Sequence, residues 1–581
     1  MPSTVKLADY LFTRLRQLGV GSIHGVPGDY NLTLLDYVEP NKIQWIGNCN
    51  ELNAGYAADG YARIKGLGAL ITTFGVGELS AANAIAGSYA EKAPVVHIVG
   101  TPARKLQDSR ALIHHTFNDG AYERFALMAE QITIAQASLR DPRTCPEMID
   151  RIIQQCLIHS RPVYIQIPAD MVSVAVAADR LESLLMIPEY IPSNDQERAV
   201  EYTLDRIYSS KQPMILVDGE CKAYGITKSV QDFIKLTNWP TYTSAFAKSL
   251  INEGLPNFHG IWRGSSAADE DDRNFVQSCD LTLCFGPHLS TTNSYAGSSR
   301  PDPAITLYVK SNSVEANEQL FQDLPARDFL SLLLEKLDKS RVPHCTKPPK
   351  AKGDTQMPTL DGHAALTQAD FYRKLNPLLR SGDIILAETG TPGYGAREFK
   401  LPQHTHLFKP VTWLSIGYML PAAQGAAVAQ REMHREGKWP QDPVRRQQPP
   451  RTILLIGDGS FQMTVQEIST MVRENLNILI ILINNDGYTI ERCIHGWNKA
   501  YNNVARWRYL QAPSLFGVAE PTQTYSIKTW EDLDNAMQEE EEAGEAGLRM
   551  WEVFMERMDA PAMLLELPGA QEAKRVAQNH G

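Results

Sequence analysis

Residues 452–491, TILLIGDGSFQMTVQEISTMVRENLNILIILINNDGYTIE, decide the fold. An apolar run, Ile453 to Ile456, ends at Gly457-Asp458-Gly459. That is the pattern of a buried strand closed by a tight turn. From Phe461 to Asn475, Val465, Ile468, Met471 and Val472 recur at helical spacing. A second apolar run, Ile478 to Ile483, ends at Asn484-Asn485-Asp486-Gly487. Strand, helix and strand at this length make a βαβ unit, whose strands are parallel.

Asp458 and Asn485 fall at the carboxyl ends of those strands, the edge at which open α/β sheets bind ligands. One crossover separates them, so their side chains can converge. A carboxylate, an amide oxygen and a nearby backbone carbonyl, with Gly487 the candidate, suit a hard cation such as Mg2+ that also takes water and phosphate oxygens. Gly457, Gly459 and Ser460 let backbone N–H groups approach a phosphate at the start of the helix. A lone GDG is more often an ordinary turn. GDGS followed one crossover later by NN-DG is far more specific.

The pair resembles the GDG…NN motif of the thiamine diphosphate-dependent pyruvate decarboxylase family, and NNDGYTIE resembles its decarboxylase branch. The resemblance covers nearly the whole chain. It is strong at residues 20–130 and 380–500, and weak at 190–360 and the C-terminus. It implies a thiamine diphosphate-binding fold of three doubly wound α/β domains with mostly parallel sheets. Their expected bounds are 1–185 for a pyrimidine-binding domain, 195–340 for a central domain and 363–581 for a diphosphate-binding domain, with a linker at 341–362.

At 581 residues the chain exceeds one core, and about two to four domains are expected. Hydrophobic residues make up 43% and charged residues 21%, the balance of a globular protein. The net charge of −11 argues against a nucleic-acid partner. The eight cysteines are scattered without a CxxC, so neither a zinc site nor a disulfide framework is expected. No apolar run reaches about 18 residues, and no membrane partner is expected. A cytoplasmic location is the default.

The flanking sequence keeps the α/β rhythm. Tyr10, Leu11, Leu15 and Leu18 share one helix face. Short apolar runs at 22–26, 43–47, 69–74, 95–99, 213–217, 281–285 and 384–387 read as strands. Helices are expected from Glu51, over Leu79–Ala90 and over Gln368–Leu379. The stretch 430–451 reads as a polar, solvated loop, and the four glutamates at 539–542 as a solvated helix face.

Taken alone, Glu51 is a first-turn helix glutamate. Within GNCNELNAGYAADGYAR it matches the family glutamate that hydrogen-bonds the aminopyrimidine ring, with burial raising its pKa. Asp29 in HGVPGDYN reads alone as a helix N-cap, and His114-His115 as surface loop residues. The resemblance makes all three, with Glu491, a proton relay of coupled groups. Thr389 and Thr391 in AETGTPGYG match cofactor contacts. Ile416 matches the wedge that bends the cofactor. Leu414 stands where relatives usually carry glycine, its carbonyl matching a contact to the ring amine. Thr292 and Gly393 are expected to enlarge the substrate pocket, and Leu414 to shrink it. Cys221 lies near an activator-responsive cysteine of some fungal-type relatives, or is simply a buried apolar residue.

The implied activity is non-oxidative decarboxylation of a 2-oxo acid, with pyruvate foremost, to an aldehyde and CO2 through a cofactor carbanion and enamine. Thiamine diphosphate and Mg2+ are the implied cofactors. A homodimer or homotetramer with sites between subunits is the implied assembly. A bulkier 2-oxo acid of the indolepyruvate or phenylpyruvate type, carboligation to acyloins, and a noncatalytic regulatory paralogue are the alternatives.

Overall fold

The computed structural model describes residues 3–187, 190, 194–264, 269–317, 319–350, 357–440, 442, 448–519, 522–542 and 547–571. Three α/β units follow one another, and we place their boundaries as the sequence suggests. The first sheet is wholly parallel, in the order Gln44–Gly47, Ser22–Gly25, Gly68–Thr73, Val95–Thr101, Val163–Pro168, Gln136–Ser138. The third is also wholly parallel, in the order His406–Phe408, Ile384–Ala387, Thr452–Gly457, Ile478–Asn484, Leu548–Phe554, Thr524–Ile527. Both therefore run second, first, third, fourth, sixth, fifth in chain order. The middle sheet has five parallel strands, Phe258–Ile261, Thr241–Thr243, Pro213–Val217, Leu281–Phe285 and Thr306–Lys310. Ser313–Ala316 and Gln319–Gln322 extend it as antiparallel edge strands.

The continuous apolar runs have a simple cause. In the third sheet Leu454, Ile456, Ile478 and Ile480 enter one core, and Ile453, Leu455, Leu479 and Ile481 enter another. A sheet covered on both faces needs apolar side chains at every position rather than at alternate ones.

The outer units meet through equivalent helices. Glu51–Lys65 follows the second strand of the first unit, and Met419–Arg435 follows the second strand of the third. A Cβ on Gly60 would lie 2.1 Å from the carbonyl oxygen of Ala422, and one on Gly425 would lie 1.8 Å from that of Ala57. Only glycine permits so close a crossing. Around it, Tyr61 donates to Glu432 at 2.7 Å and Asn48 to Glu467 at 2.5 Å.

Several expectations need correction. The predicted helix 461–475 starts earlier and is broken, as Asp458–Thr464, a 3-10 turn at Val465–Glu467, and Ile468–Arg473. Likewise the helix expected over 368–379 stops at Lys374, with Asn376–Leu378 as a 3-10 turn. Pro377 removes the amide that would continue it. The stretch 430–451 is not a loop throughout. Its start completes the helix Met419–Arg435, and Trp439 and Arg451 are buried; residues 441 and 443–447 lie outside the described set. Glu540 is not solvated. It is buried between Arg451 at 2.8 Å and Arg549 at 2.9 Å, because a buried guanidinium needs a counter-charge. Residues 351–356 of the expected linker also fall outside the described set. No helix among the described residues is long and apolar enough to cross a membrane. All eight cysteines are free thiols.

Candidate active site

In both outer sheets the strand order reverses between the first and third strands, the crevice at which such sheets take ligands. In the third unit, Ile384–Ala387 delivers Glu388, Thr389, Gly390 and Thr391 to that crevice, and Thr452–Gly457 delivers Asp458, Gly459 and Ser460. The neighbouring strand Ile478–Asn484 brings Asn485 and Gly487.

Asp458 is buried, and its Oδ2 accepts the Gly487 amide at 2.8 Å. Consecutive left-handed residues, Asp486 at φ 59° and Gly487 at φ 118°, aim that amide. Oδ1 accepts the Gly459 amide at 2.8 Å, so this N–H faces the carboxylate rather than standing free for a phosphate. Burial pushes the Asp458 carboxyl up to about 6, against the amides of Gly487 and Gly459. Among the described residues no cationic side chain pairs with it. Asn485, at the end of the neighbouring strand, is buried, as is Ser460. A Cβ on Gly457 would meet nothing within 4 Å. The Oγ1 of Thr389 is buried beside the Glu388 carboxylate. Thr391 is buried at the start of the helix Thr391–Gly395. A desolvated carboxylate with no ion pair among the described residues, a buried amide and open space at a glycine fit a divalent cation carrying a diphosphate.

The segment 414–417 turns beside this crevice. Leu414 has φ 53° and Gly417 φ 87°. The Thr464 hydroxyl donates to the Gly417 carbonyl at 2.7 Å, tying the turn to the helix of the GDGS motif. Ser415 Oγ meets the Tyr56 hydroxyl at 2.6 Å, and Ile416 is half-buried.

The first unit gathers a second constellation. Asp29 pairs with His114 Nε2 and lies 3.7 Å from His115 Nδ1. Tyr30 stacks on His114 at 5.1 Å. Asp29 does not cap the next helix, which is Leu32–Leu35 with Asn31 before it. Asp29 and His114 are exposed, and His115 is half-buried. Glu51 opens the helix Glu51–Lys65, where Asn50 caps by accepting the Asn53 amide at 2.8 Å. Glu51 is half-buried, with its Oε1 3.0 Å from a Cβ built on Gly77. Glu491 is exposed on the helix Thr489–His495. Among the described residues no hydrogen bond or ion pair within the chain joins Glu51, Asp29, His114 or His115 to Thr389, Asp458, Asn485 or Glu491.

Two pocket expectations change. A Cβ on Gly393 would lie 2.9 Å from the carbonyl oxygen of Glu388, so this glycine serves the close approach of its helix to the strand end. The Thr292 hydroxyl is engaged with the Val411 carbonyl across two units. Cys221 is fully buried, and burial pushes its thiol well up, the behaviour of a packed apolar residue. Sequence reasoning missed Glu388, which is fully buried and accepts backbone amides on both sides of the crevice. A carboxylate directly after the wholly apolar strand Ile384–Ala387 was the available signal.

Comparison with known proteins matches three family models, each placed on one unit. They describe the N-terminal thiamine pyrophosphate-binding domain at residues 5–123, the central domain at 200–337 and the C-terminal thiamine pyrophosphate-binding domain at 388–546 of thiamine pyrophosphate enzymes. A pyruvate decarboxylase of Aspergillus parasiticus is 54% identical over 99% of both chains. A pyruvate decarboxylase of Aspergillus fumigatus is 38% identical over 96% of both. An alpha-keto-acid decarboxylase of Mycobacterium leprae is 38% identical over 98% of this chain and 96% of its own.

Proposed function

The chain belongs to the thiamine diphosphate-dependent pyruvate decarboxylase family, and from that premise we propose that it converts a 2-oxo acid, pyruvate foremost, to an aldehyde and CO2 without oxidation. The observation that carries the reading is the Asp458 carboxylate, buried with no ion pair among the described residues and bonded to Gly487 at the carboxyl edge of the sheet. Asp458, Asn485 and the Gly487 carbonyl would hold Mg2+, with Thr389, Thr391, Gly457 and Ser460 lining the diphosphate, Gly459 holding the Asp458 carboxylate through its amide, and Leu414 and Ile416 lining the rings. Bound thiamine diphosphate supplies a carbon nucleophile and the electron sink for loss of CO2.

The chain's own groups supply binding and protons. Glu51 would hydrogen-bond the ring nitrogen of the pyrimidine, as the family match implies. Asp29, hydrogen-bonded to His114 and 3.7 Å from His115, forms with them a cluster that would pass protons to and from the substrate. Glu491 stands just beyond the cation motif and completes that set. As the resemblance implies, we infer that each site joins the first unit of one chain to the third unit of another, in a homodimer or a pair of dimers.

The test is Asp458→Ala. Wild type should bind thiamine diphosphate with Mg2+ and release acetaldehyde from pyruvate. The variant should keep its circular dichroism spectrum and lose cofactor binding, because the diphosphate charge is left uncompensated. Cofactor retained at wild-type affinity would remove Asp458 from the site.

A further inference from the structure

One buried carboxylate stands between the two turns that carry the candidate cofactor contacts. Glu388 follows the strand Ile384–Ala387 and is fully buried. Its Oε1 accepts the Thr389 amide at 2.7 Å, and its Oε2 accepts the Met419 amide at 2.8 Å. The first amide opens the turn of Thr389 and Thr391. The second is the first amide of the helix Met419–Arg435, into which the Leu414–Gly417 turn leads. Both turns use left-handed backbone, at Gly390 with φ 104°, Leu414 with φ 53° and Gly417 with φ 87°. Such turns keep their shape only where the surroundings over-determine them.

Among the described residues no other side chain bonds to both turns, and no cation pairs with Glu388. A carboxylate at the first turn of a helix is favoured by the peptide dipoles. Burial pushes the carboxyl up to about 7, against the amides of Met419, Thr389 and Gly417, which favour the anion.

We propose that Glu388 is a positioning residue, a clasp that sets the separation between the Thr389–Thr391 turn and the Leu414–Ile416 turn and so the fit of thiamine diphosphate between them. The proposal rests on the cofactor reading above. Glutamine keeps the shape of the clasp but turns an NH2 donor toward one of two amide donors. Aspartate keeps both acceptor oxygens but is one bond shorter, so it reaches one amide at a time.

The experiment compares full-length wild type, Glu388→Gln and Glu388→Asp. Each is stripped of cofactor and titrated calorimetrically with thiamine diphosphate in excess Mg2+, beside a melting curve of the cofactor-free chain. Glu388→Gln should melt close to wild type and bind with Kd raised about tenfold or more, the scale of a lost charge-assisted hydrogen bond. Glu388→Asp should fall between the two. A merely structural role would lower the cofactor-free melting temperature and leave the Kd of the folded molecules unmoved, and that result overturns the proposal while the cofactor reading stands. If wild type itself binds no thiamine diphosphate, both fall. If Glu388→Gln does not fold, Glu388→Asp decides, and a Kd equal to wild type within error overturns the clasp.

Discussion

Leu414 sits at φ 53°, where an L side chain crowds its own carbonyl at a cost of roughly 1–2 kcal/mol. In an ordinary loop, glycine is a worse replacement than alanine, because it adds freedom to the unfolded chain. At Leu414 glycine removes the clash that alanine keeps. Leu414→Gly should therefore be at least as stable as Leu414→Ala in urea titrations of cofactor-free protein. The ordinary order, alanine ahead by about 1 kcal/mol, would show that this backbone is not strained. Glu78 gives a pH signature. It is buried, accepting the Gly75 amide at 2.8 Å and the Tyr164 hydroxyl at 2.6 Å, and burial pushes its carboxyl up to about 7. The folded chain then binds a proton that the unfolded chain releases, so this contribution grows as pH falls from about 7 toward the ordinary carboxyl range and is lost as pH rises. Wild type should gain about 2–3 kcal/mol relative to Glu78→Gln between about pH 7.5 and 5. Parallel stability profiles for the two proteins would place the proton elsewhere.

At the scale of elements, the crossing of Glu51–Lys65 over Met419–Arg435 is the most exacting contact. The oxygens facing Gly60 and Gly425 are backbone atoms, which cannot rotate away. Gly60→Ala and Gly425→Ala should each cost about 1–3 kcal/mol, read from chemical denaturation. The double variant should cost less than the sum, because one displacement of the helices relieves both clashes. Strict additivity would mean that the two sites do not share a displacement. This crossing was only half legible in the sequence. The run of small residues after Glu51 permits close packing, but nothing local names Met419–Arg435 as the partner, since helix pairing is settled by the whole fold. The strands of the outer sheets were legible because burial on both faces forces unbroken apolar runs. The break at Val465–Glu467 was not, since the apolar spacing continues across it. Glu540 misled for a similar reason. A run of like charges looks solvated until two distant arginines are placed around one of its members. At the candidate site, the one-crossover spacing of GDGS and NN-DG places Asp458 and Gly487 at neighbouring strand ends, where they are hydrogen-bonded, whereas Glu388 was hidden because its partners are backbone amides that any sequence supplies.

For the whole molecule, the proposed two-chain site has a stoichiometric test. Glu51→Gln and Asp458→Ala homodimers should each be nearly inactive. In a mixed dimer one site carries both lesions and the other carries neither. Equal amounts reassembled at random make about half the dimers mixed, so roughly a quarter of wild-type activity should return. No recovery, with subunit exchange demonstrated, would place complete sites within single chains. The Gly60–Gly425 crossing then acquires a meaning in dilute solution. If the site is built from two chains as proposed, the crossing, by holding each chain's own outer units together, would leave a lone subunit with two open half-clefts. Mass action makes dilution and cofactor depletion two forms of one stress: lowering the protein concentration weakens apparent cofactor affinity, and saturating cofactor lowers the concentration at which subunits part. On that proposal, two glycines whose neighbours are helix backbone would help to set the protein concentration below which activity fades.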